Sequence, residues 1–194
     1  MPADQREPAK VQALAEWTVR TADNQALPFV IVDKVAARLF LFDRHGTLTA
    51  ESPVLVGRAR GDVSPPGIGD RKLSQIPPAD RITPAGRFVA DIGVNLEGRD
   101  VVWVDYDAAV AIHRATDITP GATARDRLAR LASASPRDRR VSYGCINVSD
   151  AFYADFIRPT FKAGSGIVYI LPETGPAGGL FGPATATAAT APAN

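Results

Sequence analysis

The sequence predicts a mainly β (α+β) domain with a few helices at its periphery, and two patterns point there. Short runs rich in β-branched and aromatic residues, such as Phe29-Val30-Ile31-Val32-Asp33 and Arg38-Leu39-Phe40-Leu41-Phe42, recur between turn residues. These runs follow one another without intervening helices, which argues against a doubly wound parallel sheet. With 194 residues, 45% hydrophobic and 22% charged, the chain is long enough to bury a real core and has a globular composition.

Taken in order, residues 8–22 read as a short amphipathic helix, because Val11, Leu14, Ala15 and Val19 share one stripe with Trp17 beside it. Residues 28–57 turn to strand texture. Arg44-His45-Gly46 supplies a hairpin turn before 47–56, which gives a meander of three consecutive antiparallel strands. Residues 58–82, with Gly61, Pro65-Pro66-Gly67, Gly69 and Pro77-Pro78, read as a long loop, a feature often tied to function in a compact domain. Strands resume at 86–94, 100–105 and 108–113. A polar helix over 119–135 follows, with Thr119-Pro120 as N-cap and first-turn proline. A second helix over 149–161 is capped by Ser149, and 166–171 is a last strand.

From Pro172 the chain is dominated by Gly, Pro, Ala and Thr, and 184–194 is of low complexity. Such a segment cannot bury enough apolar surface to order itself. The chain thus divides into a helical N-terminal extension (1–25), one domain (26–174) and a low-complexity tail (175–194), with no internal repeat.

A net charge of +1 gives no reason to expect nucleic acid or an anionic membrane as a partner. No apolar run approaches the ~18 residues of a membrane span. The first residues lack the basic-then-apolar pattern of a signal peptide, so either the protein is cytosolic or a targeting segment has been removed. One cysteine allows no intramolecular disulfide, and two histidines, His45 and His113, come close to excluding a Cys/His zinc site.

The chemistry concentrates in Arg139-Arg140-Val141-Ser142-Tyr143-Gly144-Cys145-Ile146-Asn147-Val148. A glycine before the lone cysteine lets the backbone turn tightly, so that the amides of Tyr143, Gly144 and Cys145 converge on a developing oxyanion. Arg137, Arg139 and Arg140 favour the thiolate and suit a substrate carboxylate. A lone cysteine is as readily a buried apolar filler. His113 closes the strand Ala108-Ala109-Val110-Ala111-Ile112 and is the sensible base candidate, because His45 falls in a solvated turn.

Ser142-Tyr143-Gly144-Cys145-Ile146-Asn147 resembles the [Ser/Thr]-His-Gly-Cys-x-Asn signature of the L,D-transpeptidase catalytic domain, the YkuD domain. Thr83-Pro84-Ala85-Gly86-Arg87-Phe88 is similar to that family's Thr-Pro-x-Gly-x-Phe segment, Ile112-His113 to its histidine, and the opening strand pair to its first hairpin. The four matches run in the family's order across residues 28–172.

The resemblance implies a β-sandwich-like fold with peripheral helices and a thioester mechanism on peptidoglycan stem peptides. Cys145 is then the nucleophile and His113 the general acid/base, its ring oriented by a backbone carbonyl around Arg114. Tyr143 and Gly144 supply oxyanion contacts, while Ser142, Asn147, Arg140 and Arg114 bind substrate. No metal or organic cofactor is implied. Carbapenems are expected to add at Cys145, and a periplasmic or cell-envelope location follows from the family, as does a part in cell-wall biogenesis and cell shape.

Tyr143 stands where the family usually carries a second histidine, and a phenol carries no proton to transfer at neutral pH. The 32 positions from His113 to Cys145 also exceed the family's usual spacing. The excess falls on 118–136, to be read as a surface decoration or as a cap over the acceptor side. Two alternatives remain open: a hydrolytic L,D-carboxypeptidase or endopeptidase on the same fold, and a catalytically idle cell-wall binding module.

Overall fold

The computed structural model describes residues 8–117 and 124–175. The predicted meander forms as β1 (Phe29–Asp33), β2 (Arg38–Phe42) and β3 (Leu48–Pro53), antiparallel in sequence order. The alternation of β1 explains its unbroken hydrophobicity. Val30 and Val32 face the main core, while Phe29 and Ile31 face a second apolar layer under the N-terminal helix. In that layer Phe29 stacks on Phe42 with ring centroids 4.9 Å apart.

Helix α1 (Ala9–Thr21) closes the layer with Val11, Leu14 and Ala15, so this segment is packed onto the sheet. The fourth buried position is Thr18. Val19, expected on the stripe, is 38% exposed and lies against the β2–β3 turn. A Cβ on Gly46 would come within 2.6 Å of Val19 Cγ2, which is why the turn carries glycine there.

The remaining strands are β4 (Val56–Gly57), β5 (Gly86–Val94), β6 (Asp100–Asp105), β7 (Val110–Arg114), β8 (Arg140–Ser142), β9 (Ile146–Val148) and β10 (Gly166–Ile170). One sheet of eight strands runs β3-β2-β1-β10-β5-β6-β7-β9, and β4 pairs with β8 apart from it. β5 serves both halves of this sheet: Gly86–Ala90 pair with β10, and Asp91–Val94 pair with β6. The two halves enclose a core in which Val30, Val32, Leu39 and Leu41 meet Val102, Val110, Ile112, Ile146 and Val148. The mainly β expectation holds, in the form of a sheet folded around its core.

The helix after Ser149 begins as α3 (Asp150–Phe152), widens into a π-helical turn (Tyr153–Ile157) and ends as α4 (Arg158–Lys162). The Ser149 hydroxyl accepts from Phe152 N–H at 3.2 Å, the expected cap. Phe152, Tyr153, Ile157 and Phe161 plug the open side of the core. No helix among the described residues is long and apolar enough to cross a membrane.

Three expectations change. The strand placed at 108–113 starts at Val110, because Ala108 and Ala109 form the turn from β6, with Ala109 at φ 53°. The helix placed at 119–135 is α2 (Ala124–Ala132); its proposed cap at Thr119-Pro120 lies outside the described residues, as does the tail from 176 on. The parallel pairings β1–β10 and β7–β9 enter a sheet expected from its meander alone.

Candidate active site

The β7–β9 ladder builds the site. Its parallel register sets Ile112 opposite Ile146 and His113 opposite Asn147, so His113 lies beside the loop that ends β8 and carries Cys145. Reciprocal backbone bonds between Leu55 and Asn147, at 2.8 and 2.9 Å, fasten the far edge of β9.

The loop Tyr143-Gly144-Cys145 is held from inside. Gly144 has φ 137°, in the region that favours glycine, and a Cβ there would stand 2.8 Å from the Ile82 carbonyl oxygen. Thr83, 1% exposed, donates its hydroxyl to the Gly144 carbonyl at 2.7 Å and accepts from Gly57 N–H at 2.8 Å. The buried Lys34 ammonium backs this clamp by donating to the Thr83 carbonyl at 2.9 Å and to Asp62 at 2.8 Å.

His113 is buried, and its Nδ1 lies 2.9 Å from the Arg114 carbonyl oxygen. A carbonyl only accepts, so Nδ1 carries the proton of this bond, and Nε2 is left for chemistry. The ring and Cys145 line the same pocket. Asn147 Nδ2 lies 2.7 Å from Nε2 and 3.3 Å from Nδ1. A nitrogen that close to both ring atoms sits against the ring face and occupies neither in-plane lone pair. Cys145 is half-buried, with its thiol 3.5 Å from the Ala109 carbonyl.

Burial opposes charge on His113. Asp117 and Cys145 outweigh it, together with the Arg114 carbonyl, and raise the imidazole from 6.5 to about 9. Asp117 Oδ2 lies 3.7 Å from Nδ1, and Arg99 donates to Asp117 Oδ1 at 2.6 Å. Burial likewise pushes Asp117 up, but His113 and Arg99 bring it down to about 2. Desolvation pushes the Cys145 thiol up, whereas the hydrogen bond and charge of His113 bring it below its ordinary value, assisted by Ala111 and Arg127. The pair is biased towards thiolate and imidazolium.

The other sequence-predicted residues have different work. Ser142, 2% exposed, donates to the Cys145 carbonyl at 2.6 Å and accepts from Gly144 N–H at 3.1 Å; it fixes the loop and also belongs to the lining of the pocket described below. The Gly144 amide, expected to face an oxyanion, is engaged by the Ser142 hydroxyl. Asn147 is fully buried between His113 and Arg127, out of reach of substrate. Arg140 pairs with Glu173 and donates to the Gly57 carbonyl at 3.3 Å. Arg114 gives its carbonyl to His113, but its guanidinium pairs with Asp100 at 3.0 Å and covers Tyr153. Each of these four side chains, expected to bind substrate, already has protein partners. His45 is exposed in its turn, hydrogen-bonded to Arg44.

The site also uses residues that sequence reasoning left in the background. The Pro/Gly-rich loop folds into short 3₁₀ turns, Ile68–Asp70 and Leu73–Gln75, that wall a pocket of about 130 Å³ over Cys145 and His113. Ile68, Gly69, Arg71, Leu73 and Ile76 line it with Ala109, Tyr143 and Arg127. Arg81 lies 3.9 Å over the Tyr143 ring and is itself held by the Ile76 carbonyl, so the phenol is a fixed aromatic wall. The described part of the insertion is more than a surface decoration. α2 packs Leu131 against Leu55 and Ala115 and carries Arg127, 2% exposed, to the pocket. Asp117, past the end of a strand, carried no local signal, and Arg127 could be read only as one of the arginines the inserted helix makes available, since its burial is a tertiary fact.

No protein-family model and no curated protein matches the sequence. Among solved structures, the chain is similar to the catalytic domain of the E. faecium L,D-transpeptidase determined by NMR, at 16% identity and TM-score 0.37, over 74% of this chain and 95% of that one. It is also similar to the crystal structure of a cysteine-to-serine mutant of the Enterococcus faecium L,D-transpeptidase, at 18% identity and TM-score 0.39, over 74% of this chain and 49% of that one. At this distance neither similarity assigns a role to any side chain here.

Proposed function

We propose that this protein is a cysteine acyltransferase of the L,D-transpeptidase type, acting on peptidoglycan stem peptides through a Cys145 thioester. The observation that carries the reading is the Cys145–His113 pair: a half-buried cysteine lines one pocket with an imidazole whose Nδ1 is fixed by the Arg114 carbonyl. The motif resemblance around Thr83, His113 and Cys145 supplies the substrate class.

The Cys145 thiolate attacks the carbonyl carbon between the third residue of a stem, an L-centre, and the D-alanine at position four. A sulfur–carbon bond forms, and the carbonyl electron pair moves to oxygen. With Gly144 N–H bonded to Ser142, the amides of Tyr143 and Cys145 are the loop donors for that oxyanion. When the intermediate collapses the carbon–nitrogen bond breaks, and His113 gives its proton to the leaving amine. D-Alanine departs and a thioester remains. The side-chain amine of a second stem then attacks, His113 takes its proton, and the thiolate leaves as the cross-link forms.

Incubation with purified muropeptides followed by mass analysis tests this. Dimers lost in Cys145→Ala are expected. Trimmed monomers would mean that water resolves the thioester, and unchanged muropeptides with folded protein would reject the acyl-transfer reading.

A further inference from the structure

We infer that Arg127, which α2 carries into the pocket, is a positioning residue that holds the Cys145–His113 pair in its thiolate–imidazolium form. The inference rests on Cys145 being the nucleophile proposed above, but not on which acyl donor it meets. Three observations converge on Arg127. Its side chain is 2% exposed, the bulkiest of the fully buried side chains among the described residues, although an arginine is seldom buried without something to hold. It donates to the Asn147 carboxamide oxygen, and the nitrogen of that same carboxamide lies against both ring nitrogens of His113. It also lines the pocket together with Cys145, His113 and Tyr143. One guanidinium thus reaches the base through Asn147 and shares the pocket lining with the sulfur.

The electrostatics run the same way from both ends. Burial disfavours the Arg127 charge, and the anion that most offsets this is the Cys145 sulfur, ahead of Asp117 and Asp126. Reciprocally, Arg127 is among the groups that bring the Cys145 thiol down, after His113 and the Ala111 backbone. Other charged groups also lie about the pair. Asp117 is shared by His113 and Arg99, Arg114 pairs with Asp100, and Arg71 on the pocket wall pairs with Asp80 at 3.1 Å. The Tyr143 phenol is the remaining titratable group of the lining, under Arg81.

The long segment between His113 and Cys145 thereby acquires a reason. It supplies from outside the β7–β9 ladder a fixed cation that, unlike the imidazolium, keeps its charge after His113 has given up its proton. During resolution of a thioester the same charge faces the sulfur as it leaves.

The test uses the protein's lone cysteine, which makes alkylation by iodoacetamide, read by intact mass, report on one sulfur. Its rate is followed against pH in wild type, in Arg127→Gln, which keeps a donor for Asn147 without the charge, and in Arg127→Lys, which keeps the charge. Arg127→Gln is expected to raise the alkylation midpoint by about one pH unit, a roughly tenfold slower reaction well below the midpoint, while Arg127→Lys stays near wild type. Melting curves qualify each variant, and Arg127→Met replaces Gln if the Gln protein does not fold. An unmoved midpoint in the uncharged variant, or a Lys variant that shifts as far, overturns the inference. Muropeptide turnover is not read, so failure on stem peptides leaves this test standing, and an unmoved midpoint leaves stem-peptide chemistry standing.

Discussion

Thr83→Val removes one hydroxyl and keeps the side chain's shape, so it isolates the clamp beneath the nucleophile loop. In the native protein this hydroxyl satisfies two buried backbone groups, Gly57 N–H at 2.8 Å and the Gly144 carbonyl at 2.7 Å. Valine replaces neither bond, and at 1% exposure water has little access to do so. A buried polar group left without its partner costs about 1–3 kcal/mol, so two of them should lower stability by about 2–4 kcal/mol, allowing for some relaxation. That is a large share of the ~5–15 kcal/mol that stabilises a domain. The loss should appear as a lower guanidinium midpoint with an unchanged slope. Because one of the freed groups belongs to Gly144, Cys145 alkylation should also slow in the protein that remains folded. Thr83→Ser, which restores the hydroxyl, should recover most of both effects. A Thr83→Val protein within about 0.5 kcal/mol of wild type would show that the clamp's hydrogen bonds carry little and that the loop is held by its other contacts.

Gly144→Ala places a methyl 2.8 Å from the Ile82 carbonyl oxygen on a backbone at φ 137°, so melting should show a loss of at least ~1–3 kcal/mol and the loop should lose its thiol reactivity; normal melting with normal alkylation would contradict this. His113 holds its proton to about pH 9 with Asp117 as the largest favourable contributor, and as an acid it serves only while protonated. Acylation should therefore decline as pH rises through about 9, and Asp117→Asn should move that decline to lower pH. An Asp117→Asn protein with the wild-type alkaline limb in a pH–rate profile would mean that the carboxylate does not act on the ring.

The parts of the fold legible in the sequence are those fixed locally. β1 and β2 fall on the residues expected because each is a run of β-branched and aromatic side chains buried on both faces. The cap at Ser149 needs only its own turn. β8 and β9 were not legible, since three residues each make too short a pattern and their partners Val56 and Ile112 are far along the chain. The site divides in the same way. Cys145, His113 and the carbonyl after it stand out by residue type and order, but substrate contacts do not. Arg140 looked available until Glu173 came to it from beyond β10, and Ser142 until its hydroxyl turned inward to its own loop. Arg127 looked like one polar position on an exposed helix, because burial of its charge depends on Asn147 and the pocket, both outside α2.

The most direct measurement of the central claim is the mass of the protein caught in mid-reaction. Wild type is mixed with a stem tetrapeptide, quenched in acid within the first turnovers, and weighed intact, with peptide mapping to locate any adduct. A mass gain equal to the stem less its D-alanine, carried by the peptide containing Cys145, accompanied by free D-alanine and missing in Cys145→Ala, is the result expected. Release of D-alanine with no adduct on Cys145, or an adduct that persists in Cys145→Ala, would contradict it.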